Sequence, residues 1–287
     1  MKFLVLGVGG MAGHVVAGHL REAGHTVETV ARSQTQVTPT FLLDVRDVDA
    51  LDQIVQDDAY DVVVNCVGML IQASEQNPPD AAFVNGYLPH HLAETLAASS
   101  TRLFHLSTDC VFSGQSGPYD EQSAYDGQRM YDRSKALGEV RNDKDLTLRM
   151  SIIGPELGAS GTGLFDWFAR QQGQVQGFTG ALWNGITTIE FARCVELLAS
   201  AEIAGLIHLV PQDSVTKFEL LQQLNGVFEH GLEIEPVSSY QVDKRLSCTR
   251  TDLPCDVATY DRMLADMRSW MVRHAADYPH YHHLLTE

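Results

Sequence analysis

The chain lacks any apolar stretch approaching the ~18 residues that a membrane-spanning helix needs. Its opening, Met1-Lys2-Phe3-Leu4-Val5-Leu6, has the flavour of a secretion signal, but the apolar run breaks at Gly7, too short for the core of one. Both features predict a cytoplasmic protein with no membrane partner. Cysteine is sparse and unpaired in pattern: Cys66, Cys110, Cys194, Cys248 and Cys255 are odd in number and contain no C-x-x-C. This argues against a disulfide scaffold and against a zinc knuckle, and it fits a reducing compartment. Positive charge is also short, with 20 Lys and Arg against 37 Asp and Glu, a net charge of −17. Such a surface repels phosphate backbones, so nucleic acid is excluded as the expected partner. A small anionic ligand is not excluded, because a few local donors outweigh a diffuse field.

What is present is an ordinary globular composition, 44% hydrophobic and 20% charged over 287 residues. That suits one large domain or a nucleotide-binding domain with a smaller lobe. Residues 3–6 form a short continuous apolar run, as expected of a buried parallel strand. A glycine cluster follows, then helical spacing from His14 to Ala23 with a stop at Gly24. Further strands are predicted at 26–30, 41–43, 62–64, 103–106 and 146–153, with helices at 48–55 and 130–140. Residues 78–99 read as one helical stretch with a kink or break at Pro89. Alternating strands and helices predict an α/β fold, a Rossmann-type doubly wound parallel sheet. After Pro155 the pattern loosens into helices at 164–171, 188–199, 217–227 and 263–274 and extended segments at 207–210 and 233–237. The expected division is 1–155, a dinucleotide-binding domain carrying the catalytic residues, and 156–287, a smaller, intertwined C-terminal substrate lobe.

The glycine cluster fits Gly7-x-x-Gly10-x-x-Gly13 and sits between a strand and a helix, the context in which such a loop cradles a pyrophosphate. Gly7 and Gly10 allow close backbone approach, and Met11 and Ala12 open the helix whose free N–H groups meet the phosphates. A site for NAD usually carries an acid at the end of the second strand. Here the chain reads Val30-Ala31-Arg32-Ser33, with no acid. Arg32 can pair with a 2′-phosphate and Ser33 can add a hydroxyl, so NADP(H) is favoured over NAD(H). Asp44, at the end of the third strand and followed by Val45, is placed to meet the adenine.

Tyr131 and Lys135 are four residues apart and share one face of a predicted helix. A free tyrosine titrates near ~10, so the expectation is that the lysine ammonium lowers that value. In a carbonyl reduction Tyr131 gives a proton to oxygen while the cofactor gives hydride to carbon. Thr108, 23 residues earlier, ends a strand that reads Leu103-Phe104-His105-Leu106-Ser107. Its hydroxyl is placed to orient the carbonyl. Thr108, Tyr131 and Lys135 are thus the expected catalytic residues.

At these positions the sequence resembles the extended short-chain dehydrogenase/reductases, and among them the dTDP-4-dehydrorhamnose reductase group. The resemblance rests on Gly7-x-x-Gly10-x-x-Gly13, Asn65-Cys66-Val67-Gly68, Ser107-Thr108-Asp109-Cys110-Val111-Phe112, Pro118-Tyr119 and Tyr131-Asp-Arg-Ser-Lys135, then Gly138-Glu139. It covers roughly the first 155 residues. It implies an NADPH-dependent reductase of a nucleotide-linked 4-keto-6-deoxysugar, with Cys66, Val67, Gly68, Tyr131 and Lys135 also touching the cofactor and the sugar nucleotide held by the C-terminal lobe. The group carries a tryptophan after the next strand, where this chain reads Arg149-Met150-Ser151-Ile152-Ile153-Gly154-Pro155. The nucleotide and hexose therefore stay open, and Trp183, expected in a loop, either lines a sugar pocket or plugs the lobe interface. A sugar-nucleotide epimerase or dehydratase, a reductase of another carbonyl, and a non-catalytic NADP(H)-binding regulatory subunit remain alternatives. A homodimer is compatible with the sequence, which does not define the oligomeric state. Histidines cluster at His90-His91 and His280-x-His282-His283. They read as solvated side chains, so no metal site is predicted.

Overall fold

Phe3 and Val5 pack into one apolar layer and Leu4 and Leu6 into another, and all four are fully buried. A strand covered on both faces belongs in a parallel sheet with helices above and below. The computed structural model, which describes residues 1–57, 59–159 and 161–286, contains that sheet. In chain order the first strands are β1 (Lys2–Leu6), β2 (Thr26–Ala31), β3 (Phe41–Leu42), β4 (Val62–Asn65), β5 (Arg102–Thr108) and β6 (Leu146–Met150). They are followed by β7 (Ile152–Ile153), β8 (Gln174–Trp183), β9 (Ile186–Thr187), β10 (Gly205–His208), β11 (Val215–Thr216) and β12 (Glu233–Asp243). The helices are α1 (Gly13–Glu22), α2 (Val48–Asp57), α3 (Ile71–Gln76), α4 (Pro78–Ala81), α5 (Leu88–Thr95) and α6 (Met130–Leu137). Then come α7 (Leu164–Ala169), α8 (Thr188–Ala199), α9 (Lys217–Phe228), α10 (Tyr260–Arg273) and α11 (His282–Leu285).

The main sheet has seven strands in the order β10-β6-β5-β4-β1-β2-β3, and every pairing is parallel. Helix α1 supplies Val15, Val16 and Leu20 to the layer with Phe3 and Val5, together with Val195 and Leu198 of α8. Helices α2 and α5 cover the other face with Leu51, Val55, Leu88 and Leu92. Strand order reverses between β1 and β4, and in open sheets of this kind the crevice at the carboxyl ends of those strands receives ligands. Strand β10 returns to this sheet from beyond residue 155. The remaining strands form a three-stranded sheet, β11-β8-β12, and a two-stranded one, β7-β9.

Three expectations change. Residues 78–99 are not one helix: a π-helical turn, Ala82–Tyr87, separates α4 from α5. Pro89 has no N–H to give to the carbonyl of Asn85, so regular winding fails there. Gly138 packs directly against that carbonyl, where an added Cβ would lie 1.9 Å from the Asn85 oxygen. The strand expected over 146–153 breaks at Ser151, and β7 leaves the main sheet to pair with β9. Trp183 is not in a loop; it ends β8 and is 4% exposed. Gly177 and Gly180 weaken the strand signal of that segment, which only its pairing with β12 and β11 makes regular.

Candidate active site

The chain turns from β1 into α1 through two positions that only glycine fits. Gly7 has φ +87°, and a Cβ on it would lie 3.1 Å from Val67 Cγ2 and 3.2 Å from the carbonyl carbon of Cys66. A Cβ on Gly13 would lie 2.2 Å from the carbonyl oxygen of Gly7. The turn is closed by the Gly10 N–H, which donates to the Gly7 carbonyl at 2.9 Å. Helix α1 begins after Ala12 without a side-chain cap, so its first-turn N–H groups, apart from that of His14, which reaches the Gly10 carbonyl at 3.4 Å, are left for a ligand. The cradle and the uncapped helix fit a dinucleotide phosphate. Cys66 and Val67 form its far wall, and Gly68 sits where a Cβ would meet Asn85 Oδ1 at 3.5 Å. Burial pushes the Cys66 thiol up to about 12, against a smaller opposing pull from Lys135, so it is an inert wall residue.

Arg32 and Ser33 follow β2 and are exposed, and among the described residues neither side chain hydrogen-bonds another group. Asp44 is held by Arg46, whose Nη2 and Nε donate to its two oxygens at 2.7 and 3.1 Å. Those bonds hold its carboxyl below the ordinary value, with a smaller contribution from Arg32. Arg46 also reaches Asp80 at 2.7 Å. Val45 is buried with Leu51 and Val55, so only its backbone is available to a ligand.

Strand β5 ends at Thr108, which starts a single 3₁₀ turn: the Cys110 N–H donates to its hydroxyl at 3.1 Å, and the hydroxyl donates to Asp109 Oδ1 at 3.2 Å. The Thr108 hydroxyl is close enough to the Tyr131 phenol to favour its ionised form, a smaller effect than burial. Lys135, one turn along α6, donates from Nζ to the Leu106 carbonyl at 2.6 Å and lies 3.4 Å from His105 Nε2. The three expected catalytic side chains therefore converge at the carboxyl end of β5. One expectation fails. Burial pushes the Tyr131 phenol above its ordinary value, with Cys110 adding to the rise, and Lys135 is not among the groups that pull it down. The ammonium is directed at the β5 backbone instead. Burial also pushes Lys135 down to about 8, against the carboxylate of Glu139, which favours its charge.

Asn85 was not singled out by sequence, yet it ties these pieces together. Fully buried, it accepts from the Met69 N–H at 2.8 Å and donates to the Met69 carbonyl at 3.0 Å and to Ser134 Oγ at 3.1 Å. It thereby locks the segment after β4 to α6. From beyond residue 155 come Lys217 and Lys244, both close enough to buried Asp109 to favour its charged form, although burial dominates and raises its value. Lys217 lies 4.3 Å from the centre of the Trp183 ring, and the Trp183 Nε1 donates to Ser151 Oγ at 2.7 Å. The only sequence signal for Lys217 is the capping box Thr216-x-x-Glu219, which fixes where α9 starts. No helix is long and apolar enough to cross a membrane, and no group of metal-ligating side chains occurs, among the described residues.

Comparison with known proteins gives the family. Residues 1–252 match the RmlD substrate binding domain family. A protein of Haloferax volcanii, named a probable low-salt glycan biosynthesis reductase, is 31% identical over 75% of this chain and 76% of its own length. A dTDP-4-dehydrorhamnose reductase of Mycobacterium tuberculosis is 28% identical over 84% of this chain and 80% of its own. The crystal structure of dTDP-4-dehydrorhamnose reductase from Bacillus anthracis in complex with NADP superposes with TM-score 0.78 at 16% identity, covering 93% of this chain and 98% of that one, a likeness of fold. The chain belongs to the RmlD substrate binding domain family, within the extended short-chain dehydrogenase/reductases.

Proposed function

We propose that this NAD(P)-dependent oxidoreductase reduces the keto group at carbon 4 of a nucleotide-linked 6-deoxysugar, with NADPH preferred over NADH. The observation that carries the reading is the placing of Thr108, at the carboxyl end of β5 next to the crevice, beside Tyr131 and Lys135 of α6, with Lys135 Nζ bonded to the Leu106 carbonyl of that strand. Both hydroxyls can grip one carbonyl oxygen. A phenol whose ionisation is opposed by burial keeps its proton at neutral pH, which suits a donor to that oxygen. A bound reduced nicotinamide would supply the hydride to carbon. Lys135, with its value near 8, carries a proton at neutral pH and can hold ribose hydroxyls.

The cofactor preference rests on Arg32 and Ser33, which are exposed where a 2′-phosphate would lie, and on the missing acid at the end of β2. Gly7, Gly10, Met11 and Ala12 take the pyrophosphate, Asp44 and Val45 flank the adenine, and Cys66, Val67 and Gly68 line the far wall. Residues beyond 155 hold the sugar nucleotide, with Lys217 and Lys244 offering positive charge to its diphosphate. The M. tuberculosis relative's name supports this substrate class.

The test is a panel of dTDP-, GDP- and UDP-linked 4-keto-6-deoxyhexoses, each mixed with the protein and NADPH or NADH while loss of the reduced cofactor is followed by absorbance. Oxidation of NADPH by one panel member, with a new hydroxyl at carbon 4 of the product, is expected. Cofactor binding without oxidation by any member would remove the substrate class.

A further inference from the structure

His14, the second residue of α1, is 3% exposed and bridges the two ends of the chain. Its Nδ1 lies 2.8 Å from the Gly10 carbonyl and its Nε2 2.7 Å from the Tyr278 hydroxyl. A carbonyl only accepts, so Nδ1 carries the proton and donates. Burial pushes His14 down to about 4, so the ring is neutral and Nε2 must accept from Tyr278. The Tyr278 oxygen in turn accepts from Trp270 Nε1 at 3.0 Å. Tyr278 and Trp270 are also buried, and a Cβ on Gly18 would strike Trp270 at 2.7 Å, so α10 is seated directly on α1. Donor and acceptor roles are thus fixed along the relay: Trp270 donates to Tyr278, Tyr278 to His14, and His14 to the Gly10 carbonyl.

The Gly10–Met11 peptide is trans, the cis bond of the described chain being Gly117–Pro118. In a trans peptide the C=O and the following N–H point in opposite directions. A Gly10 carbonyl fixed on His14 therefore fixes the Met11 N–H on the opposite side. Among the described residues nothing accepts from that N–H. We infer that His14 and Tyr278 are positioning residues for the cofactor, holding the Gly10–Met11 peptide so that the Met11 N–H faces the dinucleotide's phosphates. The C-terminal segment, 264 residues from His14 in sequence, is on this account part of the cofactor-binding apparatus although it need not touch the cofactor. The inference rests on the proposed dinucleotide site.

The test uses the full chain and calorimetric titration with NADPH and with NADH. Tyr278→Phe removes one oxygen and leaves the His14 ring without its donor. About tenfold weaker binding of both cofactors is expected, with their ratio unchanged, because the phosphates concerned are common to both. His14→Asn keeps a donor near the Nδ1 position and should retain more affinity than His14→Leu. Tyr281→Phe is the control. Tyr281 is equally buried in the same segment, but its hydroxyl donates to Asp166 at 2.9 Å and not to the relay. It should lower the melting temperature comparably while leaving both affinities intact. Unchanged affinity in Tyr278→Phe, or equal loss in Tyr281→Phe, overturns the inference while leaving the dinucleotide site standing. Binding of neither cofactor by the unaltered protein overturns the site itself. The unaltered protein gives a reading independent of the variants: NADPH should protect the Met11 amide from hydrogen exchange, and an unprotected amide contradicts the assignment.

Discussion

Arg149 and Glu139 form an ion pair from which water is excluded, with side chains 0% and 1% exposed. Arg149 Nε donates to Glu139 Oε1 at 2.8 Å, and Ser107 and Tyr125 each donate to the same carboxylate at 2.6 Å. Burial alone would raise Glu139, but the bonds and charge of Arg149, then those of Ser107 and Tyr125, hold it below its ordinary value. The pair joins β6 to the end of α6 and, through Ser107, to the residue before Thr108. Removing one partner of such a pair leaves an uncompensated buried charge, so Glu139→Gln should cost roughly 3–5 kcal/mol in urea unfolding. Tyr125→Phe removes one donor but leaves the ion pair intact, and should cost only about 1.5–3 kcal/mol. A Glu139→Gln cost no larger than that of Tyr125→Phe would mean the pair is not the anchor of α6.

Tyr131→Phe keeps the ring and removes the proton that the reduction needs. Its turnover should fall by about 10²–10⁴-fold, the usual contribution of a positioned acid. NADPH affinity should stay within about twofold, since the phenol lies beside Thr108 and not at the glycine turn. Thr108→Ala should lose about 10²-fold in kcat, because one of two donors to the carbonyl oxygen is gone. Stopped-flow measurement with saturating cofactor separates these effects from binding. Turnover of Tyr131→Phe at the unaltered rate would require another acid.

The parts of the site legible in sequence are those whose chemistry demands a residue type at short spacing. Gly7 and Gly13 cannot carry a side chain, and Tyr131 and Lys135 must share a helix face, so four letters of sequence announce four positions in space. Asn85 was hidden because its partners, Met69 and Ser134, lie 16 and 49 residues away and are set by packing. Lys217 was hidden for the same reason, reaching Asp109 from more than a hundred residues further along the chain. Burial was the other illegible quantity. The one-turn spacing of Lys135 predicts a lowered Tyr131, whereas desolvation, which no spacing encodes, raises it. Strand β10 shows the limit for the fold: its apolar run is visible, but its return to the edge of the main sheet beside β6 is not.

Arg32 is exposed and, among the described residues, has no hydrogen-bond partner to lose. Arg32→Ala should therefore leave the melting temperature unchanged. A guanidinium bonded to phosphate contributes ~1.5–3 kcal/mol, so NADPH binding should weaken about 10- to 100-fold while NADH binding changes little. Parallel titrations of the two cofactors read the ratio directly. Equal weakening for both would move the 2′-phosphate contact elsewhere, with Arg46 next in line.

Three buried histidines, His14, His105 and His208, are all pushed below the ordinary imidazole value, chiefly by burial. The unfolded chain therefore binds more protons than the folded one at mildly acid pH, and stability rises with pH there. For His14 the window runs from about 4, the folded value, to the ordinary 6.5, and its contribution is lost as pH falls below the upper limit. Over that window a single such group is linked to about 3 kcal/mol. Glu139, lowered in the fold, loses its contribution only further down, below the ordinary carboxylate range. Melting temperatures should thus begin to fall near pH 6, before the carboxylates titrate. A flat profile down to pH 5 would contradict a neutral, buried His14.

Lys217 occupies a position that folding alone disfavours. Burial pushes its ammonium down to about 8, with Asp109 and Cys110 only partly restoring it, and among the described residues it has no ion pair within 4.0 Å. Between that value and the ordinary one near 10.5 the unfolded chain binds the extra proton, so stability from this group rises with pH across the window. At neutral pH the folded protein bears the charge at a cost, offset in part by the Trp183 ring 4.3 Å away, a contact contributing roughly 0.5–2 kcal/mol. Lys217→Met keeps the length and offers sulfur to the same ring. It should melt no lower than the unaltered protein. If the ammonium meets the substrate diphosphate, the same substitution should raise KM for the sugar nucleotide about tenfold or more, with NADPH affinity unchanged. A variant that is equally stable and equally tight for substrate would return Lys217 to a packing role over Trp183 and leave the diphosphate to Lys244. A rise in KM without loss of stability identifies a side chain kept for binding, because the gains from Asp109 and the Trp183 ring do not then make up for burying its charge.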